Sequence, residues 1–282
     1  MNNIIVFIIF GIIQGITEPL PISSSGHLII FQTILNLNIP GMSFEAFVNF
    51  GSTLAIIYYF KDKLQKLIFG ILVYFIALIK SIKAKNNLKY QKLKKTYYPE
   101  WDYFLKIIVA SIPLGITGII LVLLGYDDVE NVKIVGIALT ITAISLFIVS
   151  NFKGKKNVHQ MKYTDALIVG VFQAIALMPG ISRSGMTLVG LLLVGLKSEE
   201  AFSFSFVMFI PASVAALLFS LIDILTAKDL SQYFLGYFIA FILSAIFTWI
   251  SLNILKRVVI ANKLYYFAVY CIVVSLSILF IF

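Results

Sequence analysis

The chain has 282 residues, 60% of them hydrophobic and 12% charged, with a mean hydropathy of +1.00. Soluble domains carry about 25% charged residues, so this composition excludes an ordinary soluble domain and indicates a polytopic membrane protein. The net charge of +9 does not indicate nucleic-acid binding, because the lysines cluster in loops between apolar segments, the distribution that sets membrane topology.

The first apolar region, 4–39, has no basic segment before it and no small-residue cleavage site after it, so no removable signal peptide is expected. It is interrupted at 17–27 by TEPLPISSSGH. A second broken region, 165–196, is interrupted at 178–187 by MPGISRSGMT. Each half is only about 10 to 14 residues, too short to cross a bilayer, which predicts two re-entrant helical hairpins. Non-helical backbone at that depth is tolerated only where protein or water covers it. Six further stretches are long enough to span: 44–60, 104–124, 132–152, 201–222, 234–255 and 264–282. Cys271, the single cysteine, lies in the last of them, so no intrachain disulfide forms.

The stretch 67–82 decides the topology. If it does not cross, every Lys and Arg except Lys133, Lys228 and Arg183 falls on one side; if it crosses, Lys61, Lys63 and Lys66 change sides. The positive-inside rule favours a peripheral or interfacial helix there. Both termini and the acidic loop of Asp127, Asp128 and Glu130 then face outside. The first hairpin enters from outside and the second from the cytoplasm.

The two broken regions are copies. At a constant offset of 159, Gly11 falls on Gly170, Gln14 on Gln173, Ile22 on Ile181, Ser23 on Ser182, Ser25 on Ser184 and Gly26 on Gly185. A Phe-rich span follows each, with Phe47 on Phe206 and Phe50 on Phe209. The expected fold is therefore an all-α integral membrane protein of two inverted-topology repeats, each a re-entrant hairpin plus three transmembrane helices. The repeats occupy 1–152 and 153–282. Such repeats place a site at the midplane, where the broken helices meet.

The chemistry-bearing residues collect at these breaks. Only two arginines occur, Arg183 and Arg257, in a Lys-rich chain. Arg183 has no other cation near it in sequence between two apolar stretches, where a charge costs about 2.5–3.5 kcal/mol. Its planar fork of donors suits phosphate or carboxylate oxygens better than an ammonium does. Gln14 and Glu18 share a helical face; Pro19 and Pro21 end that helix. Ser23, Ser24, Ser25, Gly26 and His27 follow, and a helix starting at Ser23 or Ser24 would aim its free N–H groups at the break, a ready anion site. The second break repeats the design with Gly180, Ser182, Arg183, Ser184 and Thr187. Glu45 and Asn49 form a second polar pair one turn apart on the following span, as a helix–helix contact or part of the site. A Ser/Gly/Pro cluster alone is an ordinary turn. Two such clusters at constant offset, one with Glu and His and one with Arg, suit phosphoryl transfer: Arg183 and the N–H groups hold phosphate oxygens, a Ser or a water attacks, and His27 or Glu18 moves the proton.

QGITEPLPISSSGHL at 14–28, FEAFVNFGSTLA at 44–55 and PGISRSGMT at 179–187 resemble the undecaprenyl-diphosphatase, or bacitracin-resistance, family over essentially the whole chain. The resemblance implies a bacterial plasma-membrane enzyme that removes one phosphate from undecaprenyl diphosphate, recycling the carrier for peptidoglycan synthesis and conferring bacitracin resistance. It implies Ser24 as nucleophile, assisted by His27 and Glu18, and a divalent cation, Mg or Ca, with Glu18 as its candidate ligand. Its partners are the polyprenyl diphosphate and membrane lipids, with no nucleic acid; a homodimer is one candidate assembly, and the oligomeric state stays open. Three positions depart from the family pattern: Gln14, where many members have Glu; Pro19, where an aromatic is frequent; and Ser203, where some carry a charge. A transporter or flippase of polyprenyl phosphate is the alternative, because inverted repeats fit alternating access; a nucleophile–base pair favours hydrolysis.

Overall fold

The structure is a computed structural model that describes residues 3–35, 41–83, 87–125, 131–226 and 228–282. Among them the chain is all-helical apart from one isolated bridge between Lys156 and Leu196. The acidic loop at 127–130 and the end of the first hairpin, 36–39, lie outside the described residues.

Both broken regions form helical pairs. The first is α1 (Asn3–Thr17) and α2 (Ser24–Leu35); the second is α7 (Tyr163–Ile175) and α8 (Arg183–Leu193). None of the four reaches the roughly 20 residues a crossing needs. Their breaks follow from the sequence. Proline at 19 and 21 cannot continue a helix, and Gly180 adopts φ +89, a backbone region that side chains disfavour.

Between the hairpins run α3 (Gly41–Tyr59), α4 (Lys61–Lys83), α5 (Leu88–Leu123) and α6 (Val132–Val149). After the second come α9 (Ser198–Thr226), α10 (Lys228–Ile260) and α11 (Tyr265–Ile281). By length and composition five described segments can cross a membrane: Lys61–Ile82, Leu88–Leu123, Val132–Val149, Ser198–Leu218 and Phe234–Ile260. The protein is thus a multi-pass membrane protein. Two expected spans fall outside that set. In α3, Glu45, Asn49, Ser52 and Thr53 dilute the apolar character, and α11 has only 17 residues.

The stretch expected to be peripheral, 67–82, lies within a longer helix than the sequence indicated. It is part of an uninterrupted helix, α4, apolar and long enough to cross. It packs on the first part of one neighbouring helix. Tyr74 stacks on Trp101, Phe69 meets Tyr97 edge-on, and Lys80 lies over Tyr90. All these partners belong to the first part of α5, which holds Lys89, Lys92, Lys94 and Lys95. The apolar remainder of α5 packs on α7 instead. A 36-residue helix is roughly 54 Å long, well beyond a hydrocarbon core of about 30 Å. The sequence reading placed only the apolar end of α5, 104–124, and missed its Lys-rich first turns.

Small residues set the helix contacts, as expected where packing rather than water drives association. A Cβ added to Gly11 would come within 2.6 Å of the Ala240 carbonyl, and one on Gly15 within 2.6 Å of the Ser244 carbonyl, so α1 lies directly on α10. The repeat-related Gly170 is pressed against α5 in the same way, 2.4 Å from the Ala110 carbonyl. Between α3 and α10, Ser52 bonds Ser244 at 2.6 Å and accepts from Thr248 at 2.9 Å, all buried. At the far end, Lys106 is 2% exposed yet fully partnered: it donates to Asp102 at 2.6 Å and to the Val158 carbonyl at 2.9 Å. Tyr163 donates to the other Asp102 oxygen at 2.9 Å, tying the start of α7 to α5.

Candidate active site

The two breaks meet. Gly26 faces Gly180 so closely that an added Cβ would lie 3.1 Å from the Gly180 Cα, and one on Gly185 would lie 3.2 Å from Pro21. Ser184 donates to the Leu20 carbonyl at 3.1 Å across the junction. The two turns are built alike. Ser23 Oγ accepts from Gly26 N at 3.2 Å, and Ser182 Oγ accepts from Gly185 N at 3.1 Å. These side-chain caps satisfy one N–H of each new helix and leave others directed at the break.

Glu18 is the hub. It is 7% exposed and accepts from three side chains. Gln14 Nε2 reaches Oε2 at 2.9 Å, Ser24 Oγ reaches the same oxygen at 2.5 Å, and Arg183 Nη2 reaches Oε1 at 3.0 Å. The last is an ion pair between residues 165 apart in sequence. The Arg183 guanidinium also lies over the Phe209 ring, 4.2 Å from its centroid. This leaves further N–H groups of the fork for an incoming anion.

A cavity of 830 Å³ opens on this cluster. Glu18, Ser23, Ser24, Ser25, Ser182, Arg183 and Ser184 form its polar end, with Glu45 and Asn49 contributed by α3. The rest is mostly apolar, with Ser111 and Ser220 the exceptions, and lies between α5 and α9, where Gly115, Gly118, Ala212, Ala215 and Ala216 form the walls. A Cβ at Gly115 or Gly118 would meet nothing within 4 Å. Pro211, inside α9, borders the cavity as well.

Two expected site residues sit elsewhere. His27 is 4% exposed and turned away from Ser24: Nδ1 pairs with the Ser23 carbonyl and Nε2 with Tyr270 Oη, each at 2.8 Å. A one-turn spacing put His27 within reach of Ser24 in the sequence, but the ring is committed to other partners. Thr187 pairs with Ser205 Oγ at 2.8 Å and with the Arg183 carbonyl at 3.0 Å, joining α8 to α9. Asp165, the third residue of α7, accepts from the Lys162 N–H at 3.1 Å. Sequence reasoning missed Tyr270, which belongs to no motif. It also missed Phe209 as a stacking partner, although the Phe50–Phe209 match marked that position.

Glu18, the expected metal ligand, is committed to protein donors. Among the described residues no three His, Cys, Asp or Glu side chains gather to hold one. Both Glu18 oxygens are occupied by donors, one of them a guanidinium. Gln14 Oε1 and Asn49 Oδ1 are buried without a hydrogen-bond partner, and Glu45 and Asn49 line the same cavity as Glu18. Hard divalent cations take six or more oxygens, often from phosphates.

Residues 7–277 match the model of the bacitracin resistance protein BacA family. Undecaprenyl-diphosphatase 2 of Bacillus thuringiensis (strain Al Hakam) is 39% identical over 279 residues, covering 96% of this chain and 95% of the relative. Undecaprenyl-diphosphatase of Thermosipho africanus is 38% identical over 275 residues, covering 97% and 98%. That of Oceanobacillus iheyensis is 34% identical over 284 residues, covering 98% and 96%.

Proposed function

The chain belongs to the bacitracin resistance protein BacA family, and from that premise we propose that it hydrolyses undecaprenyl diphosphate to undecaprenyl phosphate and inorganic phosphate through Ser24. The observation that carries this reading is the shared carboxylate. Glu18 accepts the Ser24 hydroxyl proton's hydrogen bond on one oxygen and holds Arg183 on the other. Nucleophile, base and phosphate anchor are thus joined in one unit at the mouth of an apolar groove.

Attack proceeds as Ser24 Oγ bonds to the terminal phosphorus and its proton passes to Glu18. The bond from that phosphorus to the bridging oxygen breaks, and undecaprenyl phosphate leaves. A water then hydrolyses the phosphoserine and releases inorganic phosphate. Arg183 and the N–H groups of the first turns of α2 and α8 stabilise the charge on the transferring oxygens. Ser25, Ser182 and Ser184 add donors around them. The 2.5 Å contact to a carboxylate gives Glu18, not His27, the geometry of a general base. No step runs through a divalent cation; any cation would come with the diphosphate.

The apolar groove between α5 and α9 is the place for the prenyl chain. Its origin supports the inverted-repeat reading. Under the repeat, α5 pairs with α10 and α3 with α9. The α3–α10 contact is closed by the Ser52–Ser244–Thr248 network, while the related α9–α5 contact stays open around Gly115 and Gly118. One half of a pseudo-symmetric pair is sealed and the other forms the lipid entrance. The repeats run 1–152 and 153–282, in the bacterial plasma membrane. Helix α4 lies outside the hydrocarbon, because its neighbours are in the Lys-rich part of α5. A flippase needs no hydroxyl on a carboxylate, which favours hydrolysis over transport.

Purified protein in detergent should release phosphate from undecaprenyl diphosphate, and Ser24→Ala should not. Lipid translocation without phosphate release would replace this reading with the transporter.

A further inference from the structure

We propose that Tyr270, on the last helix, is a positioning residue that acts through His27 to hold the turn presenting Ser24. The kinetic part of this proposal rests on the phosphatase reading above; its structural part does not.

The starting point is strain. Ser23 has φ 69, a left-handed conformation that costs a non-glycine residue about 1–2 kcal/mol and persists only where the surroundings enforce it. The Ser23 carbonyl is held twice by His27, from its backbone N–H at 3.2 Å and from ring Nδ1 at 2.8 Å. A carbonyl only accepts, so Nδ1 carries the proton, and the neutral ring leaves Nε2 as the acceptor. Tyr270 Oη lies 2.8 Å from Nε2 and donates to it. The two rings also stack, with centroids 5.6 Å apart and planes 11° from parallel. The next residue, Cys271, approaches the Pro21 carbonyl at 3.8 Å, so α11 braces the break on both sides of the strained serine.

The second hairpin supplies an internal control. The position matching Ser23 is Ser182, with an ordinary φ of −73. The position matching His27 is Met186, which has no hydrogen-bonding ring. Within one chain, the left-handed serine and the histidine strut occur together, and both are missing from the related turn. His27 with Tyr270 therefore serves the Ser23 conformation, which aims the Ser24 hydroxyl at Glu18. The Ser23 carbonyl selects the Nδ1–H tautomer, and the Tyr270 hydroxyl secures it by donating to Nε2.

The chain has two histidines, so His159→Gln leaves His27 as the sole reporter in ¹⁵N-histidine-labelled protein. The neutral His27 ring should carry its proton on Nδ1, with an Nε2 resonance typical of a hydrogen-bonded acceptor. Tyr270→Phe keeps the stack and removes the hydroxyl. It should move Nε2 to the unbonded position and lower kcat about tenfold, the worth of one hydrogen bond, with KM within twofold. An Nε2–H tautomer in the unaltered ring overturns the proposal whether or not the variant folds. So does a folded Tyr270→Phe protein with normal kcat. A parent protein inactive on any polyprenyl diphosphate would remove the phosphatase reading and leave the tautomer result standing.

Discussion

Glu18→Gln separates the proposed base from its structural role. The amide is the same size as the carboxylate, and its hydrogen bonds can be rearranged. Its Oε1 can accept from Arg183 where Glu18 Oε1 does now. Its NH₂ then faces Ser24 and Gln14. Gln14 Oε1 has no partner, so Gln14 can flip and accept from that NH₂, and Ser24 can accept as well. The cost is the charge of the ion pair. Arg183 is a quarter exposed and stacked on Phe209, so water and the ring compensate part of it, and the protein should still fold, with a loss well under the 3–5 kcal/mol of a fully buried pair. Catalysis should suffer more. General-base contributions are about 10²–10⁴-fold, which at about 1.4 kcal/mol per decade is about 2.8–5.6 kcal/mol of barrier. Phosphate release from undecaprenyl diphosphate should therefore fall at least a hundredfold in kcat, with thermal unfolding measured in parallel. A folded Glu18→Gln enzyme within tenfold of normal kcat would refute the assignment of the base.

Arg183→Lys should also fold and lose about 10²–10³ in kcat, on the scale of a single lost oxyanion donor, since an ammonium cannot both hold Glu18 and fork onto phosphate; near-normal turnover would show that a point charge suffices. Gly118→Leu projects into space that holds no atom within 4 Å of its Cβ, so it should raise KM for the long-chain substrate and spare a short-chain prenyl diphosphate; equal effects on both would move the prenyl chain elsewhere. Isothermal titration of Mg²⁺ or Ca²⁺ into the free protein should show no specific site, and a tight stoichiometric one would reinstate a resident metal. In a Cys271→Ser background, cysteines at Asp62 and Leu88 should be shielded from an impermeant outside reagent while one at Lys133 reacts; labelling at 62 but not 88 would make α4 a span.

The hairpins were legible because Pro19, Pro21 and the Pro179–Gly180 pair stand in short polar Ser-rich segments between apolar halves too short to cross, and because both breaks recur at one offset; Pro99, Pro113 and Pro211 stand inside continuous helices. The cluster was legible because Arg183 is the wrong cation in the wrong place for a Lys-rich membrane chain. What could not be read is what depends on side-chain direction. His27 stands three residues from Ser24, a spacing that permits contact, and only the Ser23 carbonyl and Tyr270 reveal that the ring faces the other way. Tyr270 is one of 14 tyrosines and lies 243 residues from His27, with no pattern to mark it. The extent of α5 was hidden by its lysines, which read as a loop but lie along a helix covered by α4.

The central claim is that Ser24 becomes covalently phosphorylated at the junction of the two hairpins. Undecaprenyl diphosphate labelled with ³²P on its terminal phosphate, mixed with enzyme and quenched in acid within one turnover, tests it directly. The account predicts acid-stable label on the peptide containing Ser24, absent from Ser24→Ala and formed at least a hundredfold more slowly in Glu18→Gln. Full single-turnover release of phosphate with no label on Ser24, together with an active Ser24→Ala enzyme, would contradict it and assign the attack to water.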